Sequence, residues 1–139
     1  AKKYVNNDDH VLDVGSLDVN GSYADLFLNY TGTDISKGKN VDVVCEPYKL
    51  PFGDNEFDVV ISGQTLEHTQ AFWDWAKECK RVCKRILIIT EPAEWEEHRH
   101  PIDCWRILPD GMQFLLEWLD MKVLESFRNE NDTWGVAIK

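Results

Sequence analysis

Short apolar runs separated by turn-forming residues divide the chain into seven expected strands and three helices. Val11–Val14, Tyr30–Ile35, Val41–Cys45, Phe57–Ser62 and Ile86–Thr90 read as strands. The fourth is almost continuously apolar, as a strand covered on both faces should be. A brief helix is expected over Tyr23–Tyr30. A longer one should start from a Thr69 cap and run to about Lys84. Its apolar stripe is Phe72, Ala76, Cys79 and Cys83, widened by Trp73, Trp75 and Val82. Pro109 suits the first turn of a third helix, where Met112, Leu115, Leu116 and Leu119 share one face. Lys122–Phe127 and Trp134–Ile138, joined by the polar Arg128–Thr133 turn, predict a closing antiparallel hairpin. Ala1–Asn7 is too short to add a helix before the first strand.

Two stretches break the alternation. Ser36–Asn40 leaves no room for a helix between strands two and three, although parallel neighbours normally need a crossover of about a dozen residues. Either an extended loop makes the return, or one of these strands lies elsewhere. Glu91–Leu108 is long and has no periodicity. Segments of this kind are usually functional or disordered, and the anchors Trp95, Ile102 and Trp105 favour an ordered, functional loop.

A length of 139 residues fits one domain spanning the whole chain. The formal charge of −10 argues against a nucleic-acid backbone or an anionic membrane as partner. Lys77, Lys80, Arg81, Lys84 and Arg85 gather mostly on the second helix and read as its solvated face. Cys45, Cys79, Cys83 and Cys104 form no CxxC pair. With no signal-peptide pattern and no apolar run long enough for a bilayer, the expectation is a reduced, cytoplasmic protein.

The candidate chemistry starts where Val11–Val14 meets a turn containing Gly15 and Gly21. A buried parallel strand ending in a glycine turn is how an open α/β sheet begins a nucleotide site. About twenty residues on, Asp34 closes the second strand, where a carboxylate is placed to accept hydrogen bonds from ribose hydroxyls.

Several blocks in order then resemble one family, the small class I S-adenosylmethionine-dependent methyltransferases of the type 11 group. They are Leu12-Asp13-Val14-Gly15-Ser16, Thr33-Asp34-Ile35, Glu46–Phe52, and Phe57–Ser62 with Leu66-Glu67-His68. Arg81-Val82 precedes the fifth strand as in that family. The resemblance implies a three-layer, Rossmann-like α/β sheet, mostly parallel and seven-stranded, with an antiparallel C-terminal hairpin. It implies S-adenosylmethionine as cofactor and S-adenosylhomocysteine as product. Gly15 would lie beneath the methionine portion, with Asp13 and Ser16 near its amino and carboxylate groups. Asp34 would hold the ribose, Glu46 the adenine amino group, and Ile35 and Pro47 the adenine faces. Ser62 and Gly63 would back the sulfonium. The chain departs from the family pattern at Leu17 and Asp18, where further glycines are usual, and at Lys84-Arg85, which enters strand five without a Pro-Gly-Gly turn.

Methyl transfer needs an aligned nucleophile more than elaborate protein chemistry, because the cofactor supplies the electrophile. His68, beyond the end of strand four, is the first candidate for a general base, and His100 with Asp103 the second. Trp105 or Tyr48 would face the sulfonium. No metal is expected, since His98, His100 and Cys104 match no zinc-ligand spacing. The block His98–Arg106 with Pro109–Met112 resembles a subgroup associated with sugars and surface polysaccharides, so the expected acceptor is a small polar molecule of that kind. A homo-oligomer would complete a pocket left open by the short front edge. Two rival classes share part of the pattern. One is a cofactor-binding module without turnover that acts as an assembly partner. The other is a nicotinamide-dependent oxidoreductase, which has no reason to keep the Glu46–Phe52 and Leu66–His68 blocks.

Overall fold

A computed structural model describes residues 3–19 and 21–139. Ala1 and Lys2, in the lead expected to carry no helix, and Asn20, in the glycine turn, lie outside the described residues. The strands are β1 (His10–Val14), β2 (Asn29–Asp34), β3 (Val43–Val44), β4 (Phe57–Gly63), β5 (Cys83–Pro92), β6 (Lys122–Asn129) and β7 (Asp132–Ile138). They form one sheet in the order β3-β2-β1-β4-β5-β7-β6. The first five are parallel; β7 runs antiparallel to both β5 and β6. The expected Rossmann-like sheet with its closing hairpin is therefore present. β1 pairs with β2 on one side and β4 on the other, so the connection reverses direction there. The crevice at its carboxyl end is where open α/β sheets take ligands.

The return from β2 to β3 is made by an extended loop. The Asp42 amide donates to the Gly32 carbonyl at 2.9 Å and the Cys45 amide to the Asp34 carbonyl at 2.9 Å. The loop itself carries most of the pairing, so β3 shrinks to two residues. The helix expected over Tyr23–Tyr30 is a single 3-10 turn, Ala24–Leu26. Asn29 and Tyr30 are instead drawn into β2, opposite His10 and Val11.

Helices α1 (Phe72–Val82) and α2 (Pro109–Trp118) both pack on one face of the sheet. Trp75, Ala76, Cys79 and Val82 from α1 join Met112, Leu115 and Leu116 from α2 over Leu12, Val60, Leu87 and Ala137. On the other face, Val11, Val59, Ile61 and Ile88 are covered by Tyr4, Val5, Tyr23 and Phe27, so among the described residues the third layer is thin, with the 3-10 turn Ala24–Leu26 and no α-helix. Thr69 does not cap α1. Its hydroxyl donates to the Leu66 carbonyl at 2.8 Å and closes the 3-10 turn Leu66–His68, and α1 starts later, with Ala71 at its N-cap. No helix among the described residues is long and apolar enough to cross a membrane.

The contact of α2 with β7 depends on Gly135. A Cβ there would lie 2.5 Å from Met112 Cγ and 2.9 Å from Leu116 Cδ1, in side chains with no exposed surface. Gly135→Ala is expected to cost about 2 kcal/mol through overpacking, read as a lower thermal midpoint. An unchanged midpoint would show that α2 slides freely over the sheet.

Candidate active site

A cavity of about 730 Å³ opens at the carboxyl ends of β1, β2, β4 and β5. Its first half is built on the turn after β1. The amides of Gly15 and Ser16 both donate to the Thr33 carbonyl, at 2.8 and 2.9 Å, which folds the chain sharply back. Gly15 has φ +84°, a region that favours glycine. A Cβ on it would lie 2.0 Å from Thr65 Oγ1, whose hydroxyl sits 3.1 Å from the Val14 carbonyl and 3.2 Å from that of Gly63. The glycine is thus demanded by the protein's own packing.

Asp13 is buried on this wall. Its Oδ2 accepts from the Tyr30 hydroxyl at 2.7 Å, while Oδ1 has no partner. Burial pushes its pKa up to about 6. Asp34, at the end of β2, is held by the Ser36 amide on Oδ1 at 2.9 Å and the Leu17 amide on Oδ2 at 3.4 Å. Ser16, Ile35, Pro47 and Gly63 also line the cavity. Two expected residues do not. Glu46 is exposed and off the wall, whereas Pro47 beside it is on it. Ser62 is fully buried behind β1, its hydroxyl donating to the Val14 carbonyl at 2.6 Å.

The second half is built by the 3-10 turn after β4 and the loop after β5. His68, Trp95, His98 and His100 line it, with Asp132 and Trp134 from β7. The loop is tied down along its length. The Cys104 amide donates to the Glu67 carbonyl at 2.7 Å, and the Trp105 indole to the Thr69 carbonyl at 2.8 Å. The Arg106 guanidinium clamps Asp103 and also reaches the carbonyls of Trp95 and Glu96 at 3.0 Å each. Arg106 holds the Asp103 carboxyl well below the usual carboxylate range. Asp103 is off the cavity wall and accepts from the His98 amide at 2.6 Å, so the expected pairing with His100 is replaced by one with Arg106 and His98. Trp105 and Tyr48 are likewise off the wall. The Tyr48 hydroxyl accepts from the Gln70 amide at 3.0 Å. Beneath the histidines, Glu91 at the end of β5 is buried beside Glu67. Burial, and then the neighbouring Glu67, push the Glu91 carboxyl well above its ordinary range.

Residues 12–88, more than half of the chain, match the family model described as a methyltransferase domain. The chain belongs to the type 11 group of class I S-adenosylmethionine-dependent methyltransferases. Among curated proteins, none matches this sequence. Solved structures share the methyltransferase's fold at low identity. One is a SAM-dependent methyltransferase from Aquifex aeolicus, 19% identical, covering 99% of this chain and 86% of its own, with a TM-score of 0.74. Another is 1,6-didemethyltoxoflavin-N1-methyltransferase from Burkholderia thailandensis, bound to 1,6-didemethyltoxoflavin and S-adenosylhomocysteine. It is 17% identical over 94% of this chain and 71% of its own, with a TM-score of 0.77. A third, from Haloferax volcanii, is a putative methyltransferase in complex with the Trm112 methyltransferase activator, 16% identical over 96% and 83%, with a TM-score of 0.70.

Several residues of the methyltransferase's cavity carry no local signal in the sequence. Asp132 and Trp134 reach the wall only because β7 pairs with β5, which sets Trp134 opposite Thr90 and Asp132 opposite Pro92. Asp132 Oδ1 then accepts from the Trp95 indole at 2.8 Å and from the Gln64 amide at 3.1 Å. Thr65 and Tyr23 also line the cavity without a motif to mark them. The one available hint was their closeness in sequence to a strand end or a glycine.

Proposed function

We propose that the methyltransferase seats S-adenosylmethionine in the Gly15–Asp34 half of the cavity and methylates a hydroxyl of a small polar acceptor held in the histidine half. A sugar or a sugar-linked surface-polysaccharide intermediate is the acceptor we favour. The observation that carries the reading is one continuous cavity with two differently equipped ends. At the donor end, the unpartnered Asp13 Oδ1 accepts from the cofactor's amino group. Asp34 takes the ribose diol, since an acceptor-only carboxylate suits two neighbouring donors. Ser16, Ile35, Pro47 and Gly63 enclose the rest; Glu46 and Ser62 have no direct part.

At the acceptor end, Trp95 and Trp134 offer apolar faces, while Asp132 and Gln64 offer polar atoms. That combination fits a ring whose faces are apolar and whose rim is hydroxylated. His68 and His100 stand beside such a ring. Asp103 acts through His98 and Arg106 by positioning the loop. The four cysteines, all free, fit a reducing cytoplasm.

Calorimetry should show S-adenosylhomocysteine binding and no binding of NAD. A labelled-methyl assay against sugar and nucleotide-sugar pools should then find turnover. His68→Ala is expected to lower turnover by about 100-fold or more with cofactor affinity unchanged. Tight cofactor binding without turnover on any acceptor would favour a binding module instead, and a collapse of cofactor affinity in His68→Ala would make that residue structural.

A further inference from the structure

Three acceptor atoms face one another at the floor of the histidine half. Glu67, His68 and His98 each bring one potential ligand atom to a common point, all within 4.8 Å of each other. Glu67 has no exposed surface, and neither of its carboxylate oxygens has a partner at hydrogen-bond geometry, although the Glu91 carboxyl is buried against it. A buried carboxylate left this way is costly unless a cation or a donor meets it.

The two imidazoles do not supply the donor in their observed geometry. His68 Nδ1 lies 2.6 Å from the Ile102 carbonyl, a contact that needs the proton on Nδ1. His98 Nδ1 lies 3.0 Å from the Glu96 carbonyl, with Asp103 Oδ2 at 3.6 Å. In the neutral rings this puts both Nε2 lone pairs on the side of Glu67. Glu67 Oε1 is 3.6 Å from His68 Nε2 and 3.7 Å from His98 Nε2. Those separations are too long for hydrogen bonds. They are close to the roughly 3.4 Å that separates tetrahedral ligands each about 2.1 Å from one ion. A ring nitrogen tied to a backbone carbonyl, with the other nitrogen left free, is the usual arrangement of a metal-ligating histidine.

We infer that Glu67 Oε1, His68 Nε2 and His98 Nε2 bind a divalent transition-metal ion whose remaining positions open into the cavity. Two imidazoles and one carboxylate suit zinc, iron, cobalt or nickel, and three protein ligands leave room for an exogenous oxygen. The expectation of no metal rests on His98, His100 and Cys104, and it overlooks this set because Glu67-His68 and His98 lie far apart in the chain. The 3-10 turn after β4 and the loop clamped by Arg106 bring them together. His100 lines the same wall, its ring centroid 5.9 Å from that of His68 and 6.2 Å from that of His98.

The role of the ion rests on the methyl-transfer reading, whereas its binding does not. An acceptor hydroxyl coordinated to the ion becomes more acidic. Its O–H bond breaks and the proton leaves to solvent past His100. The oxygen then forms a bond to the methyl carbon as the carbon–sulfur bond breaks, and that electron pair stays on sulfur. His68 is then a ligand, which accounts for its expected effect on turnover.

The test titrates chelator-stripped protein with Co2+, followed by its visible spectrum, and with Zn2+, followed by elemental analysis after dialysis. One ion per chain is expected, with an affinity about 100-fold or more weaker in Glu67→Gln and in His98→Ala. Substituting Cys45 and Cys104 with serine should leave binding unchanged, which excludes thiol capture. His98 is part-exposed, so His98→Ala is the variant least prone to misfold. Absence of stoichiometric Co2+ and Zn2+ binding would overturn the inference, as would binding undiminished in both variants. S-adenosylhomocysteine calorimetry on the same samples separates the two readings. Cofactor binding without the ion sinks the metal site alone, and the ion without cofactor binding sinks the donor site alone.

Discussion

Gly15→Ala is expected to destabilise the methyltransferase by about 2–4 kcal/mol and to abolish measurable S-adenosylhomocysteine binding. Two costs add. A side chain held at φ +84° is strained by about 1–2 kcal/mol. The new methyl group would also overlap Thr65 Oγ1, 2.0 Å away, and drive that hydroxyl off the carbonyls of Val14 and Gly63. Losing those contacts costs about 1–2 kcal/mol more. Binding suffers because the displaced Thr65 lies on the cavity wall. A double-mutant cycle separates the two costs. Thr65→Ala placed on Gly15→Ala should recover the overlap part and leave the strain. Strict additivity of the two substitutions in chemical denaturation would mean that they do not meet in the folded state.

The sheet was legible in the sequence because parallel strands buried on both faces are nearly continuous apolar runs bounded by turns. That is why β1, β4 and β5 lie close to where the pattern puts them. The misreadings occur where tertiary pairing outweighs local pattern. Tyr30 suits a helix face as well as a strand, and pairing of Asn29–Asp34 with β1 decides for the strand. Thr69 looks like a cap, but its hydroxyl finds the Leu66 carbonyl first. That Asp13, Gly15 and Asp34 share a cavity wall was readable, since they lie at or next to the carboxyl ends of the first two strands at family spacing. Glu46 and Ser62 follow the same spacing yet miss the wall, because spacing fixes where a residue sits along the chain and not which way it faces. The acceptor end was scarcely readable. Glu67 resembles any acid near a helix start, and it is buried because the 3-10 turn and the 91–108 loop close over it. The loop's order comes from the Arg106 clamp, which unites residues of one segment that shows no periodicity.

Asp13→Asn is expected to make the ligand-free methyltransferase more stable at pH 8 and to weaken S-adenosylhomocysteine by about 10–100-fold. The carboxyl titrates near 6 in the folded chain because it is buried, against an ordinary value of 3.8. Between those values the folded state holds a proton that the unfolded state has released. Stability therefore falls as pH rises through this window, by about 3 kcal/mol in all. Asparagine is neutral throughout and keeps an oxygen for the Tyr30 hydroxyl, so it avoids that loss. The ionised form is the one a cofactor ammonium needs, and Oδ1 stands without a partner to receive it. Affinity for S-adenosylhomocysteine should accordingly fall about tenfold per pH unit below 6 and level off above it. In Asp13→Asn the affinity should be low and flat across the same range. Calorimetry from pH 5 to 8, paired with thermal melts of the free protein, reads both effects. A variant that gains stability at pH 8 yet binds the cofactor as tightly as the parent would place the amino group elsewhere. On the proposed reading the buried charge is kept against its cost to the free protein, because the ligand's ammonium would be the partner that compensates it.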